Sequence, residues 1–387
     1  MIENLTTMYT FVNTPVQLEE VCELLGQQEW ISFDTEFIGE KRYFTLLCLL
    51  QVNCPEGSFL IDPIALPDLK AFFRVIENPN VLKITHAGEN DYRILYNSFK
   101  VLPKNIFDTQ IAAGFVGYNY PTAFRKIVEK ELKVRLKKGF AVAEWDNRPL
   151  SDKHLQYALN DVIYLNDLYV KLSNKLKSSD RQVWCKKEMD KLESAAHYYV
   201  NPHAEALNNN MMPHLGKREQ IFMLRLFDWR KQEAKRKDYS KEMILQGKYI
   251  NHIVKNIQQG PAALKNNRLL PKTFFKKYGE VFMALYERPA TEDEKLILKE
   301  IPVRKDSSPF EDITHDILYA LIKRRCIRQG VSQNLLFSKS SLKLFRKNPE
   351  WLGGDWRTEV LGDSLVNLLK RSHQLKYKFE DGQFILE

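Results

Sequence analysis

Asp34 and Glu36 stand two residues apart in the run WISFDTEF, residues 30–37. The residues around them, Trp30, Ile31, Phe33 and Phe37, are those of a strand that packs into a core. Side chains alternate along a strand, so the two carboxylates share one face, while Ile31, Phe33 and Phe37 take the other. Two like charges side by side on a largely buried strand repel each other, and each is costly to desolvate. Something positive is expected between them.

Two other carboxylates sit where a fold could bring them to the same place. In LQYALNDVIYL, Ser151 is a good N-cap for a helix carrying Leu155, Ala158, Val162 and Leu165 at helical spacing. At about 100° per residue, Asp161 falls between Tyr157 and Leu165 on an apolar stripe, with Tyr157 one turn earlier. A hydrogen-bonded Tyr–Asp pair that only secures packing has the same pattern. In VLKITHAGENDYRIL, an apolar strand ends at Ala87-Gly88, and Asp91 falls in the first turn of the following helix, where a carboxylate also serves the helix dipole. His86 reads as a satisfied, partly buried histidine, and Asp108 in FDTQIAAGF as an N-cap.

The elements that must position these groups alternate. QLEEVCELLGQ is a predicted helix, EWISFDTEF a strand, and FTLLCLLQV and GSFLIDP a strand pair turning at NCPEG. LKAFFRVIEN is a helix, VLKITHAG a strand, and ENDYRILYNSF, FDTQIAAGFVG, TAFRKIVEKEL and SDKHLQYALNDVIYLNDLYVKLSNKL are helices. The pattern predicts an α/β domain with a mixed sheet over residues 1–175. Beyond it the strand patterns vanish. A polar stretch at 176–213 reads as a partly helical linker, followed by helical blocks at 214–288 and 298–373.

The chain of 387 residues is too long for one ordinary core. No apolar run approaches the ~18 residues of a membrane helix, and the N-terminus carries no signal-peptide pattern. Five scattered cysteines without CxxC spacing speak against a disulfide framework and for a reducing cytoplasm. The net charge of +9 divides into −5 for residues 1–170 and +14 for 171–387. An acidic front half carrying a basic back half suggests a catalytic part joined to one that holds a polyanion.

The order of these features is specific. An acidic pair on a strand, an Asp after a strand-to-helix turn and Tyr-x-x-x-Asp on a helix resemble the three motifs of the DEDD 3′→5′ exonuclease superfamily, in its tyrosine-containing branch. DTEF, YFTLLCLLQV, LIDP, HAGENDYRIL, FDTQIAAGFVG, RPLS and YALNDVIYL together resemble the bacterial ribonuclease D family, in order, over nearly all of residues 30–170. The resemblance implies a ribonuclease H-like fold and a catalytic set of Asp34, Glu36, Asp91, Tyr157 and Asp161. Of these, Asp34, Glu36, Asp91 and Asp161 would hold two divalent metal ions. All-oxygen ligands suit Mg2+ or Mn2+. The implied reaction releases nucleoside 5′-monophosphates from RNA 3′ ends, such as those of tRNA precursors, in a monomeric enzyme with no obligate protein partner. The same residues would serve a DNA exonuclease equally well. An RNA-binding module with an idle site is the third possibility.

Weaker expectations attach to other residues. Phe37 is expected in the core rather than stacked on a base, and Tyr43, in the polar loop after the strand, is a candidate substrate contact. Arg148 in WDNRPLS would hold a phosphate or pair with a neighbouring acid. Ala143-Glu144-Trp145 departs from the family's usual Ser/Thr-Asp-Trp run. In the back half, Trp229-Arg230, Glu233-Ala234 and MILQGKYINHIVK resemble an HRDC domain, and HDILYALIKRRCIRQGVSQNLLFSKSSLKLF resembles a second, diverged one. Lys323, Arg324, Arg325 and Arg328 form a basic cluster that would contact RNA phosphates.

Overall fold

A computed structural model describes residues 9–136, 144–269, 272–302, 309–347, 356–371, 377–381 and 383–386. Ala143, within the departing run near Trp145, lies outside the described residues. The chain forms two compact units, one of residues 1–36, 47–198 and 306–387, the other of 37–46 and 199–305.

The first unit is built on strands β1 (Tyr9–Val12), β2 (Trp30–Ile38), β3 (Leu46–Cys54), β4 (Gly57–Ile61), β5 (Leu82–Thr85) and β6 (Ile106–Asp108). They form one sheet in the order β1-β4-β3-β2-β5-β6. β1 runs parallel to β4, and β5 is parallel to both β2 and β6, while β3 and β4 are antiparallel. The sheet is therefore mixed. β1 and β6 escape the sequence reading, because strands of four and three residues carry too little alternation to register.

Helices α1 (Pro15–Gly26), α2 (Lys70–Glu77), α3 (Glu89–Phe99), α4 (Thr109–Phe115), α5 (Phe124–Leu132), α6 (Asp152–Ile163), α7 (Leu165–Ser178) and α8 (Gln182–Met189) accompany the sheet. Thr14 opens α1 with a reciprocal capping box to Gln17, and Ser151 caps α6 through the His154 N–H. Ile31, Phe33, Phe72, Tyr92 and Leu95 are buried together in the core between sheet and helices. Phe37 is not part of that core. It is 38% exposed, because β2 runs out of its apolar surroundings there.

The last helices belong to the first unit rather than standing apart. Trp356 is fully buried, its ring 4.8 Å from that of Phe115 at the end of α4. Its indole N–H donates to Glu188 on α8 at 2.9 Å. Ser332 N–H donates to the Gly114 carbonyl, and Arg181 donates to the carbonyls of Phe115 and Gly330. Gly114 makes this approach possible, since a Cβ there would lie 2.4 Å from Leu335. Residues 182–198 likewise bury Cys185, Met189, Leu192 and Tyr198 in this core, so that part of the expected linker is packed structure. Strands β7 (Tyr377–Glu380) and β8 (Gln383–Leu386) pair antiparallel where no strand was expected.

The second unit is helical. Its core gathers Phe222, Leu226, Ile253, Val254 and Phe282. Trp229 packs edge-on to Phe274, Tyr278 and Phe282. Arg230 is buried, and its guanidinium is answered by Glu205, Glu242 and the Lys241 carbonyl. A buried charge without such partners would be prohibitively costly. Asp238 holds the segment 37–46 through Arg42 and the Phe44 N–H, and Tyr43 packs on Phe44 with the Lys235 ammonium near its ring.

Candidate active site

Asp34 and Glu36 leave β2 on one face, and Asp161 comes to them from α6. Ligand oxygens of these three half-buried carboxylates lie within 4.8 Å of one another. α6 is held against the sheet by two devices. Val162, together with Leu165 at the start of α7, packs with Ile84 of β5, and the buried Ser32 hydroxyl of β2 donates to the Val162 carbonyl at 2.9 Å. Ser32 went unremarked in the sequence. Its signal is a polar residue on the carboxylate face of an otherwise apolar strand.

Asp91 is not in that triple cluster. It is nearly buried in the first turn of α3, and the hydroxyl of Thr35, the residue between the two acids of β2, donates to it. It lies close enough to Asp34 for the two charges to repel. Its approach depends on the turn before it. Ala87 adopts a left-handed backbone with φ 58°, and a Cβ on Gly88 would lie 2.6 Å from the Thr85 hydroxyl oxygen. Asp108 clamps this turn, accepting from the Ala87 N–H at 3.2 Å and the Gly88 N–H at 2.9 Å. The same carboxylate caps α4 through Gln110 and Ile111. It is the expected N-cap and also the anchor of the turn that carries Asp91.

The Tyr157 hydroxyl donates to Asp161, and the Tyr157 ring lies 6.2 Å from that of the buried Trp145. His86 is half-buried, its ring nitrogens meeting the Thr109 hydroxyl and the Thr122 carbonyl. Burial pushes it down to about 4, so it is neutral in ordinary buffers. Arg148 takes the ion-pair alternative. Its five N–H donors are spent on both Asp62 oxygens and on the carbonyls of Cys48, Trp145 and Asn147, which leaves none for a phosphate. Arg325 is also used internally, donating to the Val360 carbonyl, whereas Lys323, Arg324 and Arg328 are exposed.

Electrostatically, the site lacks a cation. Among the described residues no Lys, Arg or His pairs with Asp34, Glu36, Asp91 or Asp161. Burial, and then repulsion from Asp34, Asp161 and Asp91, pushes Glu36 up to about 9. Asp34 is raised by burial and by Asp161, and Asp161 mainly by burial. The Tyr157 phenol is pushed well up by burial and then by Asp161, so it keeps its proton. Hard divalent ions fit this all-oxygen, uncompensated donor set.

A pH dependence follows. Carboxyls raised in the fold favour folding while protonated, and that stability is lost as pH rises from the ordinary carboxylate range through about 9. In EDTA the melting temperature is therefore expected to fall between pH 6 and pH 9. Mn2+ at about a hundred times its dissociation constant is expected to restore roughly 5 °C at the alkaline end and less at the acid end. A melting temperature indifferent to Mn2+ at pH 9 would contradict the metal assignment.

Known proteins are similar in sequence and fold. Residues 9–177 match a family model described as 3′-5′ exonuclease. A ribonuclease D from Nitrobacter hamburgensis is 28% identical over 380 residues, covering 97% of this chain and 98% of that protein. One from Bartonella henselae is 28% identical over 371 residues, covering 94% of this chain and 90% of its own. The crystal structure of Escherichia coli RNase D, described as an exoribonuclease involved in structured RNA processing, superposes with a TM-score of 0.80. It is 24% identical and covers 94% of this chain and 99% of its own.

Proposed function

We propose that this chain, a close relative of bacterial ribonuclease D, is a metal-dependent 3′→5′ exoribonuclease that shortens structured RNA, tRNA precursors among them, from the 3′ end. The observation that carries this reading is the convergence of Asp34, Glu36 and Asp161, with the Tyr157 hydroxyl on Asp161, inside a fold shared with such enzymes.

In this reading Asp34, Glu36 and Asp161 hold the metal ions, and Asp91 completes the set from the Thr35 side. Two bound divalent ions supply Lewis-acid stabilisation of the attacking and leaving oxygens of the phosphodiester. The chain's own groups supply position. β2 presents two carboxylates at once, and Ser32 fixes the depth of α6 and hence of Asp161. Tyr157, held as the neutral phenol, is a poor base. Its hydroxyl aligns Asp161 and the attacking water, and Trp145 limits its swing.

The blocks 214–288 and 298–373 act as HRDC-like modules that grip the RNA upstream of its 3′ end, with Lys323, Arg324 and Arg328 available to phosphates. Among the described residues no helix is long and apolar enough to cross a membrane. The enzyme is proposed to work as a monomer in the cytoplasm.

The test uses a 5′-labelled tRNA with extra 3′ nucleotides, and a matched DNA. A ladder shrinking from the 3′ end with Mg2+ or Mn2+, lost in EDTA and slower on DNA, is expected. Tyr157→Phe is expected to lower kcat about 10²-fold with little change in KM, because it removes a proton-positioning group and no binding contact. Binding without shortening would leave an RNA-binding module. Equal rates on DNA would reassign the substrate.

A further inference from the structure

The second unit contains a cavity of about 880 Å³, a volume that accommodates a nucleotide. It lies between the first turns of the helix Lys217–Lys237 and the segment 286–301. One side is rigid. Arg225, 5% exposed, gives both ends of its guanidinium to Glu294 and donates further to the carbonyls of Leu285, Arg288 and Pro289. Glu294 also closes a capping box with Thr291, so the turn and the helix after it form one braced frame.

The charge lining this cavity is unbalanced. Lys217 and Lys299 have no carboxylate partner among the described residues, and Arg218 lies only over the Tyr286 ring, 4.2 Å from its centroid. Arg288 shares Glu294 with Arg225. Glu287 is the one carboxylate among the described lining residues. Ile221, Leu298 and Ile301 supply an apolar wall. Bare phosphate would leave that wall unused, and a purely apolar ligand would leave the cations unmatched.

We infer that this cavity binds a nucleoside phosphate, its phosphate on Lys217, Arg218 and Lys299 and its base on the wall of Ile221, Leu298 and Ile301. The inference rests on the exoribonuclease reading for the identity of the anion. Two sources share that chemistry: a nucleotide within a bound RNA chain, and the free mononucleotide that the reaction releases.

The experiment measures binding of a labelled single-stranded RNA dodecamer and of AMP to the full chain in EDTA. Wild type is compared with Lys217→Ala/Lys299→Ala and with Leu298→Ser, all at exposed or half-exposed positions. The lysine pair is expected to weaken RNA binding about tenfold and to flatten its logarithmic salt dependence by about 1.4. Leu298→Ser is expected to weaken nucleotide binding without changing binding of polyglutamate. Loss of RNA binding alone assigns the cavity to a chain-held nucleotide. Loss of AMP binding as well assigns it to the free product. Unchanged binding of both ligands, or equal losses for polyglutamate in every variant, overturns the inference. Hydrolysis of a small chromogenic ester of a nucleoside 5′-monophosphate, measured separately with Mn2+ and without EDTA, is expected to be the same in wild type and variants. Its absence from wild type would sink the exoribonuclease reading, and the binding result would be read separately.

Discussion

Asp34→Asn is expected to lower hydrolysis of an RNA 3′ end by at least ~10³-fold, about 4 kcal/mol of transition-state stabilisation, while raising the melting temperature of the metal-free protein at alkaline pH. The two effects have one cause. Asp34 faces Asp161 and Glu36 with no basic side chain among the described residues to offset them, and burial raises its carboxyl further. Ionising it in the fold without metal is unfavourable. Stability from the protonated form is therefore present at acid pH and lost as pH rises through the raised value. Asparagine has nearly the shape of the protonated acid and cannot ionise, so it escapes that loss and forfeits the ligand. Calorimetry in EDTA at pH 6 and pH 9, beside the RNA assay, checks both. A variant equally inactive but less stable at pH 9 would mean that Asp34 holds the fold together, not the metal.

Asp108 carries the second large effect. Asp108→Ala would orphan the N–H groups of Ala87, Gly88, Gln110 and Ile111, at a cost of roughly 3 kcal/mol. Asp108→Asn separates its two duties. The side-chain carbonyl can still serve the three groups on Oδ1, keeping the α4 cap, while its amide would face the Gly88 N–H donor to donor. The asparagine variant is expected to fold with a loss of about 1 kcal/mol. It should still lose kcat by about tenfold or more, because Asp91 rides on the turn that loosens. KM for RNA should hold, since no RNA contact is removed. Full kcat in Asp108→Asn would reduce Asp108 to a helix cap.

What the sequence by itself determined is local and periodic. Alternation along WISFDTEF placed Asp34 and Glu36 on one face, and helical spacing placed Tyr157 one turn from Asp161, because both patterns depend only on neighbours in the chain. Order and spacing were enough to show the resemblance to 3′→5′ exonucleases and a mixed sheet. Only the tertiary structure decided which long-range partners won. It brought Asp161 within reach of β2 through Ser32 and Val162, residues 130 apart, and set Asp91 aside on Thr35. It spent Arg148 on Asp62, 86 residues away, where the sequence left a phosphate equally open. It folded the last helices onto α4 and α8 because Gly114 leaves room and Trp356 needs burial, facts that no local pattern carries. Short edge strands, buried ion pairs and close backbone approaches gain their free energy from groups distant in sequence, so they became legible only once the chain had closed upon itself.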